Sequence, residues 1–157
     1  MKRFLEGFMY RRSFLQLTTA AAAVHADEPM PMATLGKSGL RVSRFCLGGY
    51  HMGKDGEENG VRIVRRAVDL GVNFLDSAWL YNKGGSDEIY GKALTGGLRK
   101  KVLLMGKAEK RTATEAMQQL EDTLRRMRTD YLDLWQCHQV ATSDEVDRIL
   151  SPGGSLE

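Results

Sequence analysis

No run of apolar residues in this sequence reaches the roughly 20 that a membrane-spanning helix needs. The candidate stretch, Leu17 to Val24, is short and diluted by Thr18, Thr19 and alanines. Cysteine is scarce as well. Cys46 and Cys137 are the only two, and both fall inside strand-like segments. Two cysteines could form one disulfide at most, and burial as free thiols is the expectation. His51 has no second histidine at ligand spacing and reads as a surface residue. Neither G-x-G-x-x-G nor G-x-S-x-G occurs, which removes support for a dinucleotide-binding doubly wound fold and for a serine hydrolase. Gly36-Lys-Ser38 ends like a phosphate loop, but Pro31 stands where that loop needs its first glycine. Surplus charge is missing too. The formal net charge of +3 is carried by residues 1–26, through Lys2, Arg3, Arg11 and Arg12 against Glu6. Residues 27–157 balance to zero, so no nucleic acid or acidic partner is expected.

What is present is a globular composition, 42% hydrophobic and 27% charged over 157 residues. Residues 1–26 read as a targeting segment. A basic start leads to Arg11-Arg-Ser-Phe-Leu15, then to the mild apolar run, and Val24-His-Ala26 supplies a cleavage site. Paired arginines before Phe14-Leu15 resemble a twin-arginine signal, which implies export to the periplasm by the twin-arginine machinery without a stable membrane anchor. A leader that stays attached would leave the protein cytoplasmic. Residues 27–31 form a linker.

The stretch Asn73-Phe-Leu-Asp-Ser-Ala-Trp-Leu-Tyr81 organises the remainder. Apolar residues lead into Asp76 and then Tyr81, as in a buried strand that ends in a loop. The construction returns in Lys101-Val-Leu-Leu-Met-Gly-Lys107 and in Tyr131-Leu-Asp-Leu-Trp-Gln-Cys-His138. Asp76, Lys107 and His138 are 31 residues apart and 31 again. That period suits a βα repeat, in which successive parallel strands deliver one titratable group each to the same end of a sheet. That end is where α/β barrels keep their chemistry.

Strands are expected at about 42–49, 72–78, 101–107 and 131–138. Before them, Met32–Leu35 and Leu40–Ser43 flank a glycine-bounded turn and form a hairpin. Helices are expected over Glu57–Leu70, from Ser86 to Gly96-Gly97, and from the capping box Thr112-Ala-Thr-Glu115 to Met127. In the last of these, Ala113, Met117, Leu120, Leu124 and Met127 keep the apolar spacing. A further helix spans Ser143 to near Leu150. Leu103, Met105, Leu132 and Leu134 are candidates for the inner face of the sheet. Four strands are half of an eight-stranded barrel, and Ser151–Glu157 reads as the interior of a loop. The sequence is expected to be the N-terminal half of a longer protein, residues 32–157 being a half-barrel without the grip and closure of the whole.

Four groups meeting at such a mouth have a definite chemistry. An ammonium beside a phenol favours its ionised form, a carboxylate holds the ammonium in place, and an imidazole can donate to a substrate oxygen. The set can protonate or polarise a carbonyl, but it holds no electron source, so reduction requires a hydride cofactor. One histidine, one aspartate and one lysine do not make a metal set. At the end of the first strand, Gly49 lets a ligand approach the backbone, or simply turns the chain.

From residue 32 onward the chain resembles the aldo-keto reductases. The matching motifs are Leu35-Gly-Lys-Ser-Gly-Leu-Arg-Val-Ser43, Gly71-Val-Asn-Phe-Leu-Asp-Ser-Ala78 with Tyr81, Ser86-Asp-Glu-Ile-Tyr-Gly-Lys-Ala-Leu94 and Thr129-Asp-Tyr-Leu-Asp-Leu-Trp-Gln-Cys-His138. The resemblance implies a (β/α)8 TIM barrel closed at its bottom by the hairpin. It implies reduction of a small aldehyde or ketone with NADPH, Tyr81 acting as acid, Lys107 and Asp76 tuning it, and His138 orienting the carbonyl. Gly49, Tyr50 and Asp76 are the expected cofactor contacts. The same family includes barrels that hold a nucleotide and serve as regulatory subunits, and a truncated, inactive remnant is a further reading. Three positions depart from the family pattern: Gly106 and Ser77 each stand where threonine is usual, and Asn82 where glycine is usual.

Overall fold

The computed structural model describes residues 29–157. The targeting segment at 1–26 and the start of the 27–31 linker lie outside the described residues. Strands β1 (Met32–Thr34) and β2 (Arg41–Ser43) form an antiparallel hairpin. Strands β3 (Cys46–Gly48), β4 (Phe74–Asp76), β5 (Leu103–Ala108) and β6 (Leu134–Cys137) form a parallel sheet in sequence order. Helices α1 (Glu57–Asp69), α2 (Gly85–Ala93) and α3 (Ala113–Met127) connect successive strands, and α4 (Ser143–Leu150) follows β6.

The expected first strand, 42–49, is two strands. Val42 and Ser43 pair with β1, whereas Cys46–Gly48 pair with β4. Asn73 causes the switch. Its Oδ1 accepts from the Ser43 amide at 2.6 Å, its own amide donates to Ser43 Oγ at 3.1 Å, and its Nδ2 donates to the Arg41 carbonyl at 2.9 Å. Those bonds dock the hairpin at the N-terminal end of β4, the bottom of the sheet.

Strand alternation separates two faces. Leu75 and Leu104 point to the helices and are fully buried with Val64, Ile89, Tyr90, Ala93, Leu94 and Met127 in one cluster. Each such aliphatic side chain contributes about 1.5–3 kcal/mol. Phe74, Leu103 and Leu134, on the opposite face, are only half-buried. Leu132 does not join them. It packs against the helix-side cluster, because regular strand begins only at Leu134. Both cysteines are free, and Cys46 is exposed rather than buried, since β3 is an edge strand.

Helix α3 also departs from its expected face. Ala116, Gln119, Thr123 and Met127 are its buried positions, while Met117 is exposed. The apolar spacing pointed one position to the side because the buried stripe carries two polar residues. Gln119 Oε1 accepts from the amides of Glu109 and Lys110 at 2.9 and 3.0 Å, and Thr123 Oγ1 donates to Asp87. Thr112 caps α3 through a bond from the Glu115 amide, but Glu115 turns its carboxylate to the Thr112 hydroxyl instead of closing a box on the backbone. The reciprocal box occurs at α4, between Thr142 and Glu145.

Helices α2 and α3 meet at Gly91. A Cβ placed there would lie 2.4 Å from the Arg126 carbonyl oxygen and 2.9 Å from the Met127 carbonyl carbon. Alanine favours a helix over glycine by about 1 kcal/mol, whereas forcing atoms into packed backbone costs about 1–3 kcal/mol or more. Packing wins. Gly91→Ala should lower the melting temperature, against the sign that helix propensity alone gives; a calorimetric scan of the 157-residue chain checks it.

Candidate active site

The C-terminal ends of β4, β5 and β6 bring the expected groups together. Lys107, nearly buried, extends its ammonium across to Asp76 on the neighbouring strand. The same Nζ donates to the Ser77 carbonyl at 2.9 Å and to Tyr81 Oη at 3.3 Å. A lysine ammonium has three hydrogens, and here all three have acceptors. The Tyr81 oxygen is therefore engaged as an acceptor, which leaves its own proton free to point elsewhere.

Aromatic edges complete the cluster. The His138 ring stands 5.5 Å from that of Tyr81 at 77°, and Tyr50 packs on Tyr81 at 5.4 Å and 85°. His51 is exposed, as expected, and rests edge-on against Tyr50. His138 is fixed by its backbone: its amide donates to the Ala108 carbonyl at 2.7 Å, and its carbonyl accepts from Arg111 Nη2 at 2.7 Å. Arg111 is itself held by Glu145 at 3.0 Å. The Nδ1 of His138 is buried and without a hydrogen-bond partner. Burial first, and the Lys107 ammonium second, push the His138 imidazole below its ordinary value of 6.5.

The three departures each have a local cause. At Gly106 a Cβ would sit 2.8 Å from Trp135 Cζ3 and 3.0 Å from Leu132 Cδ1, so those side chains fill the space a threonine would take. Ser77 is fully buried and donates to Asp87 Oδ1 at 2.6 Å. Asn82 adopts the left-handed conformation (φ 51°, ψ 37°) that glycine adopts freely, and its Nδ2 donates to the Met52 carbonyl. Lys83 follows in the same region at φ 55°, so the chain leaves Tyr81 by a tight, strained turn.

Gly49 lacks room rather than lending it. A Cβ there would meet Ser86 Oγ at 2.4 Å, the Asp76 carbonyl at 2.7 Å and the Tyr90 ring at 3.1 Å. Gly48, beside it, has open space. The spacing of titratable groups missed Asp87, which is fully buried on α2 behind the site. Burial raises its carboxyl to about 6, against the opposing pull of bonds from Ser77 and Thr123 and of the Arg126 charge. A hint existed in Ser86-Asp-Glu, but an acid in the first turn of a helix is ordinarily a surface feature. Among the described residues no cluster of three or more histidine, cysteine or acidic groups could hold a metal ion, and no helix is long and apolar enough to cross a membrane.

Parallel strands in sequence order, with helices packed on one face and ionisable groups at the C-terminal ends, define an α/β-barrel enzyme scaffold. The chain belongs to the aldo/keto reductase family, whose model matches residues 44–151. The aldo-keto reductase YhdN of Bacillus subtilis is 32% identical over an alignment of 125 residues that covers 69% of this chain and 38% of that protein. The methylglyoxal reductase YeaE of Escherichia coli is 38% identical over 95 residues, 58% of this chain and 33% of that one. Among solved structures, the holo form of an aldo-keto reductase from Bacillus halodurans matches with a TM-score of 0.69 at 34% identity, covering 76% of this chain and 43% of its own. An aldo-keto reductase from Klebsiella pneumoniae in complex with NADPH matches with a TM-score of 0.66 at 27% identity, covering 78% and 45%. The chain thus spans less than half the length of each relative, as a hairpin and four βα units of a TIM barrel.

The lowered His138 value means that the folded protein resists protonating this ring. The stability it confers is present above 6.5 and is lost as the pH falls below that value. By proton NMR the His138 ring should titrate below 6.5. Lys107→Met should return only part of the shift, because burial, the larger cause, stays in place.

Proposed function

We propose that this segment carries the proton-donating half of a carbonyl reductase, acting on a small aldehyde or ketone with NADPH. The observation that carries it is the Lys107 ammonium saturated by Asp76, the Ser77 carbonyl and Tyr81 Oη. With the phenol oxygen already accepting from Lys107, the Tyr81 hydroxyl is free to donate to a carbonyl oxygen at the mouth. As the proton leaves, the phenolate that forms lies against a fixed positive charge, a dipolar arrangement aimed at the charge of the transition state. Asp76 keeps that charge in place. His138, neutral at pH 7 by the direction of its shift, has one N–H to offer the same carbonyl oxygen and helps orient it.

The cofactor fits the donor set, which can move a proton but supplies no electrons. Gly48, at the end of β3, has open space beside its backbone. We assign Gly49, Tyr50 and Asp76 to the nearby cofactor contacts. When bound, a reduced nicotinamide would supply the hydride for the carbonyl carbon. The complex of the Klebsiella pneumoniae relative with NADPH supports this choice.

In a protein that carries this segment within a closed barrel, Tyr81→Phe should lower kcat for carbonyl reduction by about 10²–10⁴-fold, with the dissociation constant for NADPH nearly unchanged. Steady-state rates within a few-fold of the parent would remove Tyr81 from the mechanism.

We also propose that residues 1–26 direct export through the twin-arginine route, on the strength of Arg11-Arg12 ahead of Phe14-Leu15 and the Ala-rich run. Changing Arg11 and Arg12 together to Lys should hold the protein in the cytoplasm. Equal recovery of variant and parent from the periplasmic fraction would count against that route.

A further inference from the structure

We propose that Asp87 is a positioning residue of this site: from beneath the loop 77–81 it anchors that loop at two points, and so sets where the Ser77 carbonyl meets Lys107 and where Tyr81 stands. The proposal rests on the reading of Tyr81 and Lys107 as the reacting pair.

The first anchor is direct. Ser77 Oγ lies 2.6 Å from Asp87 Oδ1 and 3.1 Å from Ser86 Oγ, with all three residues fully buried. The backbone of the same serine reaches the site, since its carbonyl accepts from Lys107 Nζ at 2.9 Å while its amide donates to the Met105 carbonyl at 2.9 Å. A shift at Ser77 is therefore a shift of one of the three acceptors that orient the ammonium. The second anchor runs through Arg126 of α3. Its guanidinium stands 4.0 Å from Asp87 Oδ2, donates to the Trp79 carbonyl at 3.3 Å and lies 5.4 Å from the Trp79 ring. Trp79 in turn donates its amide to the Lys107 carbonyl at 3.1 Å, and the Tyr81 amide donates to the Ala78 carbonyl at 2.9 Å. The loop between Asp76 and Tyr81 is thus held at Ser77 and Trp79 by one carboxylate and its arginine.

A carboxylate suits this place better than an amide. Both its oxygens accept, Oδ1 from Ser77 and Oδ2 from Thr123 at 3.2 Å, and its charge faces Arg126. An asparagine offers one acceptor and points an amino group at a hydroxyl or at the guanidinium. The groups bearing on Asp87 are Ser77 from the loop, Ser86 and Glu88 from α2, and Thr123 and Arg126 from α3. Its carboxyl, raised to about 6 chiefly by burial, places the loss of the anchor within reach of an ordinary titration. Protonation leaves Arg126 without its charge partner and turns one oxygen into a donor.

The test uses NMR on the 157-residue chain, with Asp87→Asn and Ser77→Ala compared with the parent. Neither measurement needs turnover, so a failure of Tyr81→Phe to slow reduction leaves this result separately readable. In the parent, the amide resonances of Ser77 and Trp79 should move with the Asp87 carboxyl carbon, at a common midpoint near 6. Asp87→Asn should abolish that movement. Both variants should raise hydrogen exchange at the Trp79 and Tyr81 amides about tenfold over the change at α1 amides, the effect of one lost charge-assisted hydrogen bond. Ser77→Ala removes only a buried hydroxyl and carries the exchange test by itself should Asp87→Asn fail to fold. Loop resonances that ignore the Asp87 titration, or exchange that rises only in step with α1, overturns the proposal.

Discussion

The site depends on one constraint, the register of the parallel strands. Asp76 pairs with Met105 and Lys107 with Gln136, so corresponding positions on neighbouring strands are 29 residues apart. The titratable groups Asp76, Lys107 and His138 recur at 31, two residues beyond the register at each step. Two is the period of a strand, so each group keeps the same face as the one before while climbing along the sheet. A spacing of 30 at the first step would have put the lysine at the position of Gly106, on the face turned toward the helices. The climb also explains why a lysine stands in the middle position, since its long side chain is needed to reach back to Asp76.

Behind that face the sheet rests on a layer of mixed character. Leu75 and Leu104 supply the apolar contact with the helices, and beside them Ser77, Ser86, Asp87 and Thr123 are buried as one hydrogen-bonded set. Burying a carboxylate is unfavourable unless it is bonded and faced by charge. Asp87 meets both conditions, with two hydroxyl donors and a guanidinium. Polar groups so placed favour one arrangement of the loop that carries Ser77 and Trp79. Similar logic holds at the bottom of the sheet, where Arg99 bonds Asp133 at 2.9 Å and stacks 3.9 Å above Tyr131. Asp133 in turn accepts from the Leu104 amide at 2.8 Å.

Much of the architecture was legible because the relevant signals are local. The hairpin at 32–43 follows from its glycine turn, and α3 from its Thr112 cap and its apolar spacing. The assembly of Asp76, Lys107 and His138 follows from regular spacing along strands that pair in order, with Tyr81 in the turn that follows β4. Misreadings arose where a local pattern competed with a neighbour distant in the chain. Alternation extended the first strand to 42–49, but Asn73, some thirty residues on, splits it. Apolar periodicity gave α3 the face through Met117, but the partners waiting for Gln119 and Thr123 lie in other elements.

What the sequence by itself determined is the order of elements, the parity that puts Asp76, Lys107 and His138 on one face, and the family to which the chain belongs. These depend on backbone periodicity and residue type, which are read along the chain. Only the tertiary structure decided that Lys107 is shared among three acceptors, that Gly106 and Gly49 are demanded by Trp135 and by Ser86 with Tyr90, and that Asp87 faces inward. Those facts concern the distance between atoms far apart in sequence, and packing density, rather than pattern, sets that distance.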